Sequence, residues 1–311
     1  ILSYAGRQLL KAELGWTVAW TVMRGRFDHF LIQQAVGAGA ELLEGVCLEG
    51  VELLDERVVA HTAQGDYTAR LLAGADGVNS QVARSLGLLP GRRVGVAVEA
   101  ELEVPPAGLS AQGTYATFDF GALPHGYGWI FPKQDHLSVG VFQAQPGKAA
   151  GLRRHLDAFI ACQPVLQGAR LLHFQGHPIP LGASRQPLQR GRALLVGDAA
   201  NLADPWLGEG IYYAVLSARL AAPVMAAMFA HDPCDLSEYS RLVQKHILAQ
   251  QRYAALFAEV VYQFPLLCSE LLGRSLRMQR AVFSTLRGDL TFRQMSALLV
   301  RSLPLILLEA V

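Results

Sequence analysis

The sequence predicts a mixed α/β fold, and three observations carry that prediction. Two short apolar runs, at 71–75 and 193–196, each end in a turn that contains Asp and Gly and each precede a helical pattern. This arrangement is typical of buried strands that lead into helices. Between them, 93–143 alternates like an antiparallel sheet, and beyond 222 the pattern is nearly all helical.

The composition indicates a globular chain with a large core. Hydrophobic residues make up 51% of the 311 residues, which is enough for a core shared between two domains. Lys and Arg number 27 against 26 Asp and Glu, so the charge favours neither nucleic acid nor a strongly acidic partner. We expect a cytoplasmic protein, because the sequence has no signal peptide, no targeting tail and no apolar run of the roughly 18 residues that a membrane-spanning helix needs.

The sequence predicts no metal site. His173 and His177 lie on either side of a glycine and precede a proline, which argues against a helical pair of metal ligands. The cysteines are far apart and fit no metal-ligand spacing, so we expect reduced thiols. They are Cys47, Cys162, Cys234 and Cys268.

The first part of the chain combines strand patterns with one helix. We expect strands in 1–22, where four apolar residues alternate with smaller ones. These are Trp16, Val18, Trp20 and Val22. A helical pattern then follows Arg24 and ends at Gly37 and Gly39. A guanidinium at Arg24 suits phosphate or hydroxyl oxygens, although most arginines before helices are solvated.

A small β-meander leads to the first Asp-Gly turn. Short strands are expected at 40–46 and 51–54, and a hairpin at 57–72. Asp76 and Gly77 then end a strand, and Ser80 is placed to cap a helix that begins at Gln81. An Asx turn explains the Asp-Gly pair without any ligand.

The second turn gathers more groups that bind ligands. Gly197 and Asp198 end a strand, and Pro205, Gly208 and Gly210 interrupt the chain before a helix that begins at Ile211. We expect free backbone N–H groups, the positive end of a helix dipole and one carboxylate in a small volume, where an anionic or hydroxyl-bearing ligand binds. The alternative is an ordinary strand-to-helix loop.

An aromatic strand lies in the alternating region. Tyr127, Trp129 and Phe131 point to one face, because strand side chains repeat every second residue, and Pro124 and Pro132 flank them. Such a stiff wall suits an apolar chain or a flavin edge. A sheet that packs its aromatic residues against a helix explains the periodicity equally well.

Four motifs, in this order, resemble the geranylgeranyl reductase family of FAD-dependent oxidoreductases. R-x-x-F-D-x-x-L begins at Arg24, and G-A-D-G-x-x-S-x-V begins at Gly74. P-x-x-Y-x-W-x-F-P covers 124–132, and G-D-A-A-x-x-x-x-P-x-x-G-E-G-I covers 197–211. The order of the four motifs favours the flavin interpretation of both turns over the interpretation as simple loops.

The resemblance implies two sets of site residues. The FAD-binding residues would be Arg24, Asp76, Gly77, Gly197, Asp198, Pro205, Gly208, Glu209, Gly210 and Ile211. The residues that line a pocket for an isoprenoid substrate would be Tyr127, Trp129, Phe131 and Pro132. In the family the arginine reaches toward the ribose and pyrophosphate. Asp198 is expected at the ribityl or pyrophosphate end of FAD, and the backbone of 205–211 against the isoalloxazine.

The resemblance also implies a domain organisation. We expect a Rossmann-like FAD-binding domain interleaved with an antiparallel-sheet substrate domain, followed by a C-terminal helical region. The expected boundaries are 1–22 for strands of the substrate domain, 23–90 and 188–222 for the FAD-binding domain, 91–187 for the substrate domain and 223–311 for the helical region. The family begins with a G-x-G-x-x-G loop, and this sequence contains none. We therefore expect a fragment of a longer flavoprotein, with an FAD-binding domain incomplete at its N-terminus.

The leading hypothesis is an FAD-dependent oxidoreductase that reduces C=C bonds of a prenyl lipid by hydride transfer from reduced flavin, with NAD(P)H or another reductant as electron donor. The sequence nominates no catalytic acid or base. A flavin monooxygenase and a non-catalytic remnant that binds lipid or a partner are the alternatives. A basic region at 241–301 and an apolar end at 297–311 suit peripheral contact with the inner face of a membrane. A solvated helical cap also explains them.

Overall fold

The chain forms two compact units in the computed structural model, which describes residues 1–17, 19–88, 92–145, 151–182, 186–229 and 235–310. Unit 1 contains Ile1–Ala40, Gly95–Pro178 and Leu256–Val311, and unit 2 contains Glu41–Val94 and Ile179–Ala255. Each unit is therefore built from segments that are distant in sequence.

Thirteen strands are present in the described residues. They are β1 (Leu2–Tyr4), β2 (Arg7–Leu10), β3 (Leu48–Leu53), β4 (Val58–Thr62), β5 (Gly65–Ala69), β6 (Leu72–Gly74), β7 (Val94–Glu103), β8 (Thr117–Asp119), β9 (Gly126–Pro132), β10 (Leu137–Gln143), β11 (Arg170–Pro180), β12 (Gln189–Arg190) and β13 (Ala193–Leu195). The predicted hairpin at 57–72 is confirmed by β4 and β5, which pair antiparallel.

The helices of the described chain lie mostly in its second half. They are α1 (Arg24–Gly37), α2 (Gln81–Ser85), α3 (Pro106–Gln112), α4 (Leu152–Ala161), α5 (Ile211–Met228), α6 (Ser237–Val243), α7 (Ala249–Gln263), α8 (Pro265–Arg274), α9 (Leu276–Arg287) and α10 (Phe292–Ala310). A π-helical segment, Gln244–Leu248, joins α6 to α7, and 3-10 turns cover Pro164–Leu166 and Gly197–Ala200.

Unit 1 is built on a seven-stranded sheet with the order β11-β7-β10-β9-β8-β1-β2. The long strands β7, β10 and β9 pair antiparallel, as the alternating sequence predicted. One face is covered by α4, whose Leu156 and Phe159 pack with Ile130, Val139 and Val141 in one buried cluster. β11 is an edge strand, which agrees with its prolines, since proline cannot donate a ladder hydrogen bond.

Unit 2 holds a three-stranded sheet in which β13 lies between β12 and β6. β13 pairs parallel with β6, and its residues Leu194 and Leu195 are fully buried. Tyr239 of α6 donates its hydroxyl to the carbonyl of Leu195 at 2.6 Å, so the helix is fixed to the strand by a buried hydrogen bond as well as by packing. A separate meander, β3-β4-β5, completes the unit.

Strands predicted in 1–22 are present as β1 and β2, but two other stretches with strand patterns are not strands. The described part of 16–22, which leaves out Val18, has no ladder partner. Side-chain contacts hold it instead, because Thr21 donates to the Pro132 carbonyl at 2.6 Å and Lys133 donates to the Val22 carbonyl at 2.8 Å. The predicted strand at 40–46 is also wrong, since that stretch is loop. Alternation favours a strand only where a neighbouring strand is available to accept its hydrogen bonds.

The division by contacts differs from the expected domain boundaries at two places. α1, expected in the FAD-binding domain, groups with unit 1, and none of its side chains is buried. The helical region expected at 223–311 is divided between the units, with α6 in unit 2 and α8 to α10 in unit 1. α4 begins at Leu152, and 146–150 lie outside the described residues.

By length and composition alone, α5 is long and apolar enough to cross a membrane. The sequence analysis did not indicate such a helix. A bent pair, Ser237–Gln263 with Pro265–Arg274, meets the same criteria jointly, with 103° between its halves. Core helices of soluble proteins also meet them. α5 carries Arg219 and buries Ser217, Ala221 and Val224.

Candidate flavin site and aromatic wall

The fold brings the two predicted turns of unit 2 to one sheet edge. β6 and β13 are parallel neighbours, and Gly74 lies opposite Leu195. Because both strands end at this edge, the turn at Asp76 and Gly77 and the turn at Gly197 and Asp198 follow adjacent strand ends. Ligands of open α/β sheets bind at the carboxyl ends of the strands.

Asp76 caps the helix that follows it. Its carboxylate accepts hydrogen bonds from the Ser80 hydroxyl at 2.6 Å and from the backbone N–H groups of Gln81 at 2.6 Å and Val82 at 3.1 Å. Ser80 in turn accepts from the Ala83 N–H at 2.8 Å, so its predicted capping role is confirmed. Together they satisfy the first-turn donors of α2 and fix the shape of the Asp-Gly turn.

Gly197 is held against α5 by a hydrogen bond that sequence reasoning did not predict. Its N–H donates to the Ser217 hydroxyl at 2.9 Å, and that hydroxyl donates to the Ala214 carbonyl at 3.0 Å. The residue has a φ of 56°, and a Cβ here would lie 3.0 Å from the Ala214 Cβ. Glycine is thus required both by the left-handed backbone and by the close approach of the helix. Asp198 follows directly and is partly buried.

Asp204 shapes the loop between the Gly-Asp turn and α5. Its Oδ1 accepts from the N–H groups of Trp206 at 3.0 Å and Leu207 at 2.7 Å, an Asx-type turn that Asp before Pro favours. Its N–H donates to the Glu209 carbonyl at 2.7 Å. Its other oxygen, Oδ2, is buried and finds no hydrogen-bond partner among the described residues. Burial raises the pKa of Asp204 from 3.8 to about 6.

The end of the same loop starts α5, as predicted from Ile211. Glu209 accepts from the Tyr212 N–H at 2.7 Å through Oε1, which satisfies a first-turn donor and places a carboxylate at the positive end of the helix. Pro205 is buried. A Cβ on Gly210 would lie 3.0 Å from Asp198 Oδ1, so Asp198 lies beside the start of the helix.

The residues of this edge fit one part of a flavin cofactor. Gly77 and Gly208 have φ values of 75° and 70°, and a Cβ on Gly77 would meet no atom within 4 Å. The backbone of Gly77 is thus open to a close ligand at the edge where Asp198 is partly exposed. Arg24, the remaining predicted cofactor residue, begins α1 in unit 1. Its exposed guanidinium pairs there with Asp28, with Nη2 3.0 Å from Oδ2.

Unit 1 contains the predicted aromatic wall. Tyr127 and Trp129 are buried, with ring centroids 6.1 Å apart, and Trp129 stacks on Phe131 at 6.0 Å. Further rings join them, since Tyr127 lies 5.6 Å from Phe118 and 5.5 Å from Phe142. Pro132 ends the strand. The three predicted side chains therefore share one face, on the side of the sheet opposite α4.

The Trp129 indole lies over Gly140 of the neighbouring strand. The two residues are paired across β9 and β10, and a Cβ on Gly140 would lie 2.1 Å from an indole carbon. Trp129 also directs its indole N–H toward Ser138, 3.4 Å from the hydroxyl oxygen. Glycine at 140 is thus what allows the ring to lie flat on the sheet, a requirement that the periodicity alone did not reveal.

No protein-family model matches the sequence, but individual relatives do. It is 30% identical over 246 residues to an uncharacterised protein of Methanosarcina barkeri, covering 79% of this chain and 62% of that protein. It is 29% identical over 252 residues to a chloroplastic geranylgeranyl diphosphate reductase of Oryza sativa subsp. japonica, covering 76% and 52%. It is 29% identical over 235 residues to digeranylgeranylglycerophospholipid reductase 2 of Methanopyrus kandleri, covering 71% and 59%. The chain is thus similar to several members of the geranylgeranyl reductase family. It spans about half to three-fifths of the length of these relatives.

Solved structures show that this chain shares its fold with flavoproteins. A geranylgeranyl bacteriochlorophyll reductase-like protein of Thermoplasma acidophilum superposes with a TM-score of 0.74 at 22% identity, covering 92% of this chain and 74% of that one. A flavoprotein/dehydrogenase of Cytophaga hutchinsonii gives 0.69 at 18% identity, covering 87% and 69%. The predicted α/β fold and its C-terminal helices are confirmed.

Proposed function

We propose that this chain is the larger part of an FAD-dependent oxidoreductase that reduces C=C bonds of a prenyl lipid. The observation that supports it best is the meeting of the Asp76-Gly77 and Gly197-Asp198 turns at one edge of the β6-β13 sheet. In this proposal unit 2 carries the FAD-binding residues other than Arg24, and unit 1 carries the substrate wall. The named relatives reduce geranylgeranyl diphosphate and digeranylgeranylglycerophospholipid, which favours a prenyl chain as substrate.

In this reaction the chain's own residues bind and orient the cofactor and the prenyl substrate. FAD, when bound and reduced by NAD(P)H or another donor, supplies the hydride. Asp198, the open backbone of Gly77 and the backbone of Gly208 hold the cofactor, and Arg24 is assigned to its ribose and pyrophosphate. Tyr127, Trp129, Phe131 and Pro132 give the prenyl chain an apolar surface that excludes water. Fixing the alkene against such a surface favours reaction by lowering the entropy cost of alignment.

Absorbance and anaerobic kinetics test the proposal on the full-length protein. We expect the purified protein to carry or take up FAD, and its reduced form to be reoxidised by geranylgeranyl compounds without oxygen. Reoxidation by oxygen and never by a prenyl alkene would instead support the flavin monooxygenase. Absence of any flavin binding would support a non-catalytic remnant.

Trp129→Ala separates the substrate wall from the cofactor site. Since Trp129 lies in unit 1 and the flavin residues of the β6-β13 edge lie in unit 2, the variant is expected to lower prenyl turnover and leave flavin binding unchanged. Trp20→Ala is the matched control, because Trp20 is 84% exposed. Loss of flavin in Trp129→Ala, or equal turnover in both variants, would contradict the assignment.

Peripheral contact with an anionic membrane on the cytoplasmic side belongs to the same proposal. α10 exposes Val300 and Leu308, at 74% and 73%. Exposed arginines lie on α10 and on the neighbouring α9, at Arg301 and Arg280. Apolar side chains beside arginines suit the interface of an anionic bilayer, where a prenyl lipid is found.

A further inference from the structure

Unit 1 contains a cavity of about 520 Å³ outside the aromatic wall. It is enclosed by the turn that joins β8 to β9, the end of β1, the helix α4 and the junction between α7 and α8. The volume lies within the range of small-molecule sites. Nothing in the proposed roles of the aromatic wall or of the flavin edge uses this cavity.

The polar side chains that line the cavity are all able to donate hydrogen bonds. They are Tyr4, His125, His155, Tyr262 and Gln263. The described lining includes no carboxylate. The nearby Asp119 has no exposed surface and accepts from the N–H groups of Ala5, Gly6 and Gly121 at 2.9, 2.7 and 2.8 Å. A lining of donors without carboxylates favours a ligand rich in acceptors, such as a phosphate ester.

The start of α8 adds a favourable electrostatic feature. Pro265, which lines the cavity, is the first residue of this ten-residue helix. The first-turn N–H groups of a helix have no partner within the helix, and its N-terminus carries a partial positive charge. A phosphate placed in the cavity would lie near this end of α8.

His125 is held toward the cavity by an unusual backbone conformation. Its φ of 54° lies in the left-handed region, which costs a residue with a Cβ about 1–2 kcal/mol. The Ala144 N–H, donating to the His125 carbonyl at 2.9 Å, helps to fix the turn. Strain of this kind persists where the surrounding structure imposes it and is frequent at ligand sites.

An apolar ring connects the cavity with the aromatic wall. Phe120 lines the cavity and is 6% exposed. Its ring centroid lies 5.6 Å from that of Tyr127 and 6.5 Å from that of Tyr262. Phe120 therefore joins the lining of the cavity to the ring cluster of the aromatic wall.

We propose that this cavity binds the phosphate-bearing head group of the prenyl substrate, with His125 and His155 as its principal donors. The inference rests on the proposed function, since it assigns a subsite for the same substrate. It predicts that the protein distinguishes a prenyl diphosphate from the corresponding prenyl alcohol, because only the diphosphate uses the donors of the cavity.

Kinetics of the full-length holoenzyme with geranylgeranyl diphosphate and geranylgeraniol test the subsite. His155→Gln and His125→Gly are expected to raise the KM for the diphosphate about tenfold, the loss of one charge-assisted hydrogen bond. The kcat and the KM for the alcohol are expected to stay unchanged. Glycine at 125 relieves the left-handed strain, so this variant removes the imidazole without threatening the fold. His173→Gln, an exposed histidine of β11 outside the cavity, is the matched control.

Inorganic pyrophosphate separates the subsite from the reaction. Calorimetry is expected to detect its binding to the wild-type protein and weaker binding to His155→Gln. If this difference appears while neither prenyl compound is reduced, the anion site stands and the proposed function fails. If the prenyl compounds are reduced and the histidine variants leave the KM of the diphosphate unchanged, or raise both KM values equally, the subsite is wrong.

Discussion

Asp204 fixes the shape of a loop, and burial raises the pKa of its carboxyl group. One carboxylate oxygen fixes the loop before α5 by accepting two backbone N–H groups, and the other is buried without a partner among the described residues. The Asp-Pro dipeptide in the sequence indicates the turn. Burial of the second oxygen depends on packing from distant segments, so the raised pKa could not be predicted from the sequence.

Asp204→Asn is expected to flatten the pH dependence of the free energy of unfolding in acid. The folded protein holds the Asp204 proton more tightly than the unfolded chain does. This contribution to stability is therefore full below about pH 4 and is lost as the pH rises through about 6. A shift from 3.8 to about 6 corresponds to about 3 kcal/mol. Urea unfolding at a series of pH values measures this pH dependence of the free energy of unfolding.

The exposed Asp55 in the same unit provides the control for this measurement. Asp55→Asn is expected to keep the wild-type pH profile, because it leaves the buried carboxyl of Asp204 in place. If the free energy of unfolding changes with the same slope between pH 4 and pH 6 in wild type and in Asp204→Asn, the buried carboxyl is not the source of the pH dependence.

Among the elements, β9 and β10 depend most clearly on each other. The motif P-x-x-Y-x-W-x-F-P and the period of two place three aromatic residues on one face of β9, and the structure agrees. The flat orientation of Trp129 depends on Gly140 of β10, to which it is paired. Nothing in the β9 sequence identifies that partner, because strand register is set by the whole sheet.

Gly140→Ala is expected to destabilise unit 1 by about 1–3 kcal/mol, the range for overpacking a core. The added methyl group would overlap the Trp129 indole, so the ring must move. Urea denaturation measures the loss. Gly37→Ala at the end of α1 is the control, since a Cβ there meets no atom within 4 Å. Equal midpoints for the two variants would rule out the close contact between strand and ring.

At the scale of the whole molecule, successive segments of the chain alternate between unit 1 and unit 2. Unit 1 is assembled from three segments and unit 2 from two. The resemblance concerns the order of the motifs along the sequence. The unit to which α1 belongs is instead decided by its contacts. α1 is helical as predicted, yet all of its side chains are at least partly exposed.

The exposed C-terminal helices give a prediction at this scale. The protein is expected to co-sediment with anionic vesicles and to remain in solution with zwitterionic ones. Substituting Arg280 and Arg301 by Gln is expected to weaken binding by about 1 kcal/mol per arginine. Arg57→Gln, in unit 2, is the control. Binding that is independent of lipid charge, or equally weakened by the control, would contradict an electrostatic contact through α9 and α10.

The sequence by itself determined the fold class, both Asp-Gly turns, the helices that follow them and the aromatic face of β9. These features depend on local chemistry: turn residues, helix caps and hydrophobic period act within a few residues of one another. Only the tertiary structure decided that the two turns share one sheet edge and that the described part of 16–22 is not a strand. It also decided that Gly140 accommodates Trp129 and that two histidines converge on one cavity. Those outcomes depend on which distant segments pair and pack, and a single sequence does not encode that in any local pattern.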